Sequence, residues 1–78
     1  MSERKIYDYS KLLGRIKEKY NTRENLSKHI SISITSLNSR LNNSLKFNQQ
    51  DIDELCNALD INEEEIPIYF FTEKVMKT

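Results

Sequence analysis

The sequence of 78 residues contains one glycine, one proline, one cysteine, one histidine and no tryptophan. A single cysteine excludes an intramolecular disulfide and a cysteine-rich zinc site. So few helix breakers favour helices over a sandwich of short strands. Apolar runs long enough to span a membrane are absent, and so is a signal-peptide pattern at the start. We therefore expect one small, mainly helical domain in the cytoplasm, with no metal or other cofactor and no membrane association.

Charge is divided unequally along the chain, although the net charge is zero. Residues 1–46 carry ten basic and four acidic side chains, a net charge of +6, whereas residues 47–78 carry two basic and eight acidic ones, a net charge of −6. Such asymmetry indicates a polyanion as the partner of the basic half. The alternative is two ordinary solvated halves that differ by chance.

Four segments repeat apolar residues at helical spacing. They predict helices from residues 8 or 10 to about 20, from 23 to 29 or 30, from 34 to about 42 and from 49 to about 60. Thr22, Ser33 and Asn48 are of the types that cap helix N-termini, and Asp51 stands where a capping box with Asn48 requires an acid. The short third helix is unusual because serine, threonine and asparagine make up most of its outer face.

The C-terminal part of the chain is less regular. Asn62 can cap a last acidic turn over residues 63–66, and Pro67 is predicted to end or redirect that turn. Residues 68–72, IYFFT, form the one strand-like run, which could also be a short extended piece docked on the helices. The predicted fold is therefore a compact all-α domain of four to five helices with a core over about residues 8–66. A short extended aromatic tail over residues 67–78 completes it.

The second and third helices are joined by a turn of three or four residues, which is the arrangement of a helix-turn-helix motif. The motif needs a small residue where the helices cross, and Ser27 fits. It needs apolar residues in the turn and on the third helix, and Ile32, Leu37 and Leu41 fit. Ser31 occupies the turn position where a residue tolerant of positive φ is expected.

The segment LSKHISISITSLNSRLNNSLKFNQQDIDELCNAL, residues 26–59, resembles short phage Cro-like and repressor-like regulators of the XRE type. The resemblance covers about residues 10–66, is most specific over residues 35–52, and implies a lambda repressor-like helix-turn-helix fold. This chain has Ser27, Ser31 and Asn43 where the family has alanine, glycine and often glycine. A left-handed Ser31 would cost about 1–2 kcal/mol unless the turn differs. Asparagine at position 43 is the next best residue after glycine at positive φ.

The resemblance implies that the third helix enters the major groove of DNA, where short polar side chains let the backbone approach the bases. Carried over, the residues that face DNA are Ser33, Thr35, Ser36, Asn38 and Ser39. Base edges are assigned to Thr35, Asn38 and Ser39, with Asn38 able to read adenine and Ile34 to touch a thymine methyl. Phosphate contacts are assigned to Arg23, Ser33, Asn42, Asn43 and Lys46. Arg40 is either a phosphate contact or a solvated flank.

Two features of the sequence each allow both a structural and a functional interpretation. The third helix could be a capping-rich polar surface helix without a ligand. The aromatic tail could simply cover the core, or it could form the seam of a homodimer that binds two half-sites about 34 Å apart. The residues assigned to that seam are Tyr69, Phe70, Phe71 and Val75.

The leading hypothesis is a sequence-specific DNA-binding transcriptional regulator, a phage or prophage Cro-like repressor that binds a palindromic operator as a dimer. The alternative is a protein-binding modulator, of anti-repressor or co-repressor type, on a helix-turn-helix scaffold. In that case the acidic back or the aromatic tail binds a repressor or another phage regulator. An enzyme is not expected, since His29, Cys56 and the carboxylates lack catalytic spacing.

Overall fold

The computed structural model describes residues 6–74, and every regular element within them is a helix. The one β interaction in this range is an isolated antiparallel bridge between Tyr7 and Glu73. The all-α fold class predicted from the sequence is confirmed. The elements, in chain order, are α1 (Ser10–Tyr20), α2 (Arg23–Ser27), α3 (Ile34–Leu41), α4 (Gln49–Leu59), a 3₁₀ turn (Glu63–Glu65) and α5 (Ile66–Phe70).

Local capping explains where three of the helices begin. The side chains of Thr22, Ser33 and Asn48 accept hydrogen bonds from backbone N–H groups three residues ahead, as predicted. At α4 the capping box is complete, because the Asp51 carboxylate accepts from the backbone N–H of Asn48. Such caps satisfy backbone donors that the first helical turn leaves without partners. Short, polar helices can therefore form where intrinsic propensity is weak.

Helix α2 is shorter than predicted, since it ends at Ser27 rather than at residue 29 or 30. The Ser27 hydroxyl donates to the Glu24 carbonyl oxygen at 2.8 Å, so it competes for a backbone acceptor of the last turn. Serine often competes in this way near helix ends. Ile30 nevertheless packs against the core from the turn that follows.

The core lies at the centre of the helices and is built from leucine, isoleucine and two aromatic residues. Each fully buried leucine or isoleucine contributes about 1.5–3 kcal/mol by leaving water. Arg15, on the outer side of α1, donates from Nε to the Leu59 carbonyl oxygen at 2.8 Å and from Nη2 to the Asp60 carbonyl oxygen at 2.9 Å. It thereby satisfies acceptors at the C-terminus of α4. The buried core side chains are Tyr9, Leu12, Ile16, Leu26, Ile32, Leu37, Leu41, Ile52, Leu55, Leu59, Ile61 and Phe70.

The C-terminal tail differs from the prediction. Ile66–Phe70 is a helix, not an extended run, and Pro67 lies in its first turn, where a proline needs no N–H partner and its fixed φ suits a helix. Phe71 follows the helix, and its φ of −126° and ψ of 17° are not those of an extended residue either. There the tail meets the N-terminal segment, since the Asp8 N–H donates to the Thr72 carbonyl oxygen at 2.7 Å. No helix among residues 6–74 is long and apolar enough to cross a membrane.

Candidate functional site

Helices α2 and α3 are consecutive and are connected through residues 28–33. Leu26 and Leu37 are fully buried, and Ile32 in the turn is 7% exposed, so these three side chains hold the two helices together as predicted. The pair has the order of elements of a helix-turn-helix motif. That the pair belongs to the XRE class stays a prediction.

The turn between α2 and α3 is held by hydrogen bonds that were not predicted from the sequence. Positive φ occurs at Asn21, Asn43 and Asp60 among the described residues, so of the two alternatives for Ser31 the structure has the turn that differs and not the left-handed conformation. Instead, the Glu54 carboxylate on α4 accepts hydrogen bonds from the backbone N–H of Ser31, at 2.9 Å, and from its hydroxyl. Those two bonds lower the pKa of Glu54 below its ordinary value. A serine suits this position because both donors point at one carboxylate.

The outer face of α3 presents small polar groups. Thr35 is exposed and Ser36 and Ser39 are half-buried. The hydroxyls of Thr35 and Ser39 make no hydrogen bond to any other residue between positions 6 and 74. Ile34 is half-buried against the core, and Ser33 uses its hydroxyl as the cap of α3. The assignment of these five residues to DNA stays a prediction.

Arg23 and Asn38 are joined across the two helices. Arg23 Nη1 donates to Asn38 Oδ1 at 2.8 Å in a partly buried contact. The bond fixes the amide of Asn38 and uses one of the five donors of the guanidinium. Bidentate reading of adenine needs both the oxygen and the nitrogen of the amide. Asn38 would therefore have to share its oxygen between Arg23 and the base.

Arg40 forms an ion pair that was not predicted from the sequence. Its side chain is 16% exposed, and its Nε donates to Asp51 Oδ2 at 2.6 Å, while Nη1 donates to the Ser36 carbonyl oxygen at 3.1 Å. The Asp51 side chain is 9% exposed. Arg40 is thus the partner of a buried carboxylate that also caps α4, and it connects α3 to the start of that helix. This burial contradicts the solvated flank, whereas the phosphate contact stays a prediction.

Asn43 is likewise a structural residue. Its φ is 69°, which confirms the predicted tolerance of positive φ. Its Oδ1 accepts from the Tyr7 N–H at 2.9 Å and its Nδ2 donates to the Tyr7 carbonyl oxygen at 3.0 Å. These bonds hold the N-terminal segment against the end of α3, and the assignment of Asn43 to a phosphate stays a prediction. Asn42, which accepts from the Ser44 N–H, and Lys46 are both exposed, and their phosphate role stays a prediction.

The four residues assigned to a dimer seam are not in equivalent positions. Phe70 is 1% exposed and packs edge-to-face on Phe47, with ring centroids 5.3 Å apart, so it belongs to the core of the single chain and its assignment to a seam stays a prediction. Tyr69 is half-buried against the core, whereas Phe71 is 50% exposed. Val75 lies outside the described residues.

A groove that sequence reasoning missed lies between α4, the 3₁₀ turn and α5. It has a volume of about 910 Å³, and its walls include Ile52, Cys56, Ile61 and Phe71. Burial raises the pKa of the Cys56 thiol, with a smaller contribution from Asp53. The sequence carried no separate signal for it, because Ile52 and Cys56 belong to the same apolar stripe of α4 that packs on the core. Among residues 6–74 no three metal-ligating side chains cluster.

Comparisons with known proteins agree with this architecture. A family model described as "Protein of unknown function (DUF739)" matches residues 5–73. The solution structure of the modulator of repression (MOR) of the temperate bacteriophage TP901-1 from Lactococcus lactis is 36% identical in sequence, with a TM-score of 0.76. The alignment covers 90% of this chain and 95% of that one. No curated protein sequence matches the chain.

Proposed function

The chain belongs to the DUF739 family, and we propose that it is a phage regulator of the modulator type, which acts by binding a repressor protein. The observation that carries the proposal is the similarity to a modulator of repression at 36% identity over 90% of the chain. The likeness also covers 95% of that modulator's chain.

The distribution of cations supports a protein partner over DNA alone. The guanidinium groups of Arg15 and Arg40 donate to acceptors within the chain, and that of Arg23 donates one hydrogen bond to Asn38. Affinity for DNA depends on the number of phosphates that lysine and arginine neutralise. Lys28 before α3 and Lys46 beyond it are the exposed lysines nearest to that helix in sequence, so a single domain is expected to hold few phosphates.

The second candidate function is sequence-specific DNA binding, by a Cro-like regulator that binds a palindromic operator as a homodimer. It is favoured by the unbonded hydroxyls of Thr35 and Ser39 on α3, which are suited to base edges. Both candidates place the protein in transcription control, and both would act in the cytoplasm.

One pair of experiments separates the two. The purified protein is used for binding selection from a random duplex library at two salt concentrations, and it is mixed separately with the purified repressor encoded by the same phage. The modulator proposal expects a complex with the repressor and no duplex motif from the protein alone. Recovery of a palindromic motif that weakens with salt, and that changes at one position in Asn38→Ala, would establish the DNA reader instead.

A further inference from the structure

The groove beside α4 has the form of a docking site for a helix. The residues of α4 that line it are Gln49, Ile52, Asp53, Cys56 and Asn57, which follow the spacing of one helix face. They cover about 12 Å of helix, or roughly two turns. The opposite wall comes from the 3₁₀ turn and α5.

The groove is lined by both apolar and polar side chains and is open to solvent. Phe47, Ile61, Ile66 and Phe71 are among its walls, and Phe71 is one of three large hydrophobic side chains that stay exposed among residues 6–74. Ile68, 44% exposed, is another and lies on α5 close by in sequence. Contiguous exposed apolar surface with a polar rim is typical of a protein-binding site.

Charge limits what can occupy the groove. Its charged lining residues are Asp53 and Glu63, and no lysine or arginine lines it. A second copy of the chain, docked through the same surface, would bring a second Asp53 and Glu63 into one interface without a lining lysine or arginine. Like charges across an interface are unfavourable, whereas lysine or arginine at the rim is attracted.

We propose that this groove binds an amphipathic helical segment of a partner protein, with apolar side chains at i, i+3 or i+4 and i+7 and with lysine or arginine beside them. The partner is the repressor, and for that identity the inference rests on the proposed function. The acidic charge of residues 47–78 then has a role, since it attracts a DNA-binding protein whose own surface is basic.

The test uses the full chain and the purified repressor encoded by the same phage. Glu63→Lys is expected to weaken binding about tenfold, because it turns attraction at the rim into repulsion. The matched control is Glu24→Lys, which makes the same charge change at an exposed position in the first turn of α2. It is expected to leave the affinity within about twofold. Circular dichroism checks that both variants fold.

A second readout uses Cys56, the one cysteine of the chain, which lines the groove. The rate of its alkylation by monobromobimane is measured by mass spectrometry of the Cys56 peptide. Because a partner helix would cover the thiol, this rate is expected to fall at least about tenfold in the complex. Protection that grows with the concentration of the protein alone would identify a self-association surface and overturn the proposal.

The two levels of the hypothesis fail differently. If the wild-type protein does not bind the repressor at all, the proposed function is wrong. If it binds, but Glu63→Lys binds equally well and Cys56 stays reactive in the complex, the function stands and the groove is not the site.

Discussion

The interaction between Arg40 and Asp51 gives the sharpest test of how this fold is held together. In Arg40→Met the apolar stem of the side chain remains but the cation is lost, while Asp51 stays buried with a backbone hydrogen bond from Asn48. Removing one partner of a buried pair costs about 3–5 kcal/mol, because the other charge is left without compensation. A chain of 78 residues is stable by roughly 4–12 kcal/mol, so the variant should lose a large part of its stability.

Urea denaturation followed by circular dichroism measures this loss. With a slope of about 1 kcal/mol per molar urea, the midpoint should fall by roughly 3 M, unless the variant is already unfolded in water. Lys46→Met is the control, since it removes an exposed cation in the segment after α3 and should change the free energy of unfolding by less than about 0.5 kcal/mol.

The double variant Arg40→Met/Asp51→Asn separates the charge from the capping. Asparagine keeps an acceptor for the Asn48 N–H but carries no charge, so the double variant should be more stable than Arg40→Met alone. If Arg40→Met lowered the free energy of unfolding by less than about 1 kcal/mol, the account of Arg40 as a structural residue would be refuted. The phosphate contact predicted from the sequence would then be the expected role of Arg40.

Three further predictions concern backbone and turn positions. Gly14→Ala should raise the free energy of unfolding by about 1 kcal/mol, because Gly14 is exposed in the middle of α1 and nothing lies within 4 Å of an added Cβ; thermal denaturation measures it. Asn43→Gly keeps the positive φ and loses the bonds to Tyr7, whereas Asn43→Ala loses both, so chemical denaturation should show the alanine variant to be less stable by a further 1–2 kcal/mol or so. Ser31→Ala should raise the pKa of Glu54 toward its ordinary value, which an NMR titration measures. Since folding lowers the pKa of Glu54 in the wild type, the stability from these bonds is present above the unfolded pKa and is lost as the pH falls through the folded pKa.

Local signals account for the parts of the fold that were predictable. Thr22, Ser33 and Asn48 cap their helices because a cap depends on residues within one turn, which a sequence displays directly. The positive φ of Asn43 is predictable for the same reason, since it reflects the residue type and the end of α3.

Tertiary partners account for the contacts that could not be predicted from the sequence. Asp51, the partner of Arg40, is 11 residues away, and Tyr7, the partner of Asn43, is 36 residues away. Nothing in the composition of α3 distinguishes a cation that turns inward from one that faces a phosphate. The prediction for Pro67 was wrong for another reason. A proline breaks a helix when it lies in the interior, but it is well suited to the first helical turn, and the packing of the chain decides which of the two positions it occupies.

These corrections change how the function can be tested, because the two candidate surfaces carry opposite charge. Salt weakens the binding of DNA to the basic side, and it also weakens the binding of a basic helix to the acidic groove. Salt dependence alone therefore does not distinguish them. Charge reversal does, since Lys46→Glu should weaken only the DNA complex and Glu63→Lys only the complex with the repressor. A protein that responded to both changes would use both surfaces, and each half of its divided charge would then have its own partner.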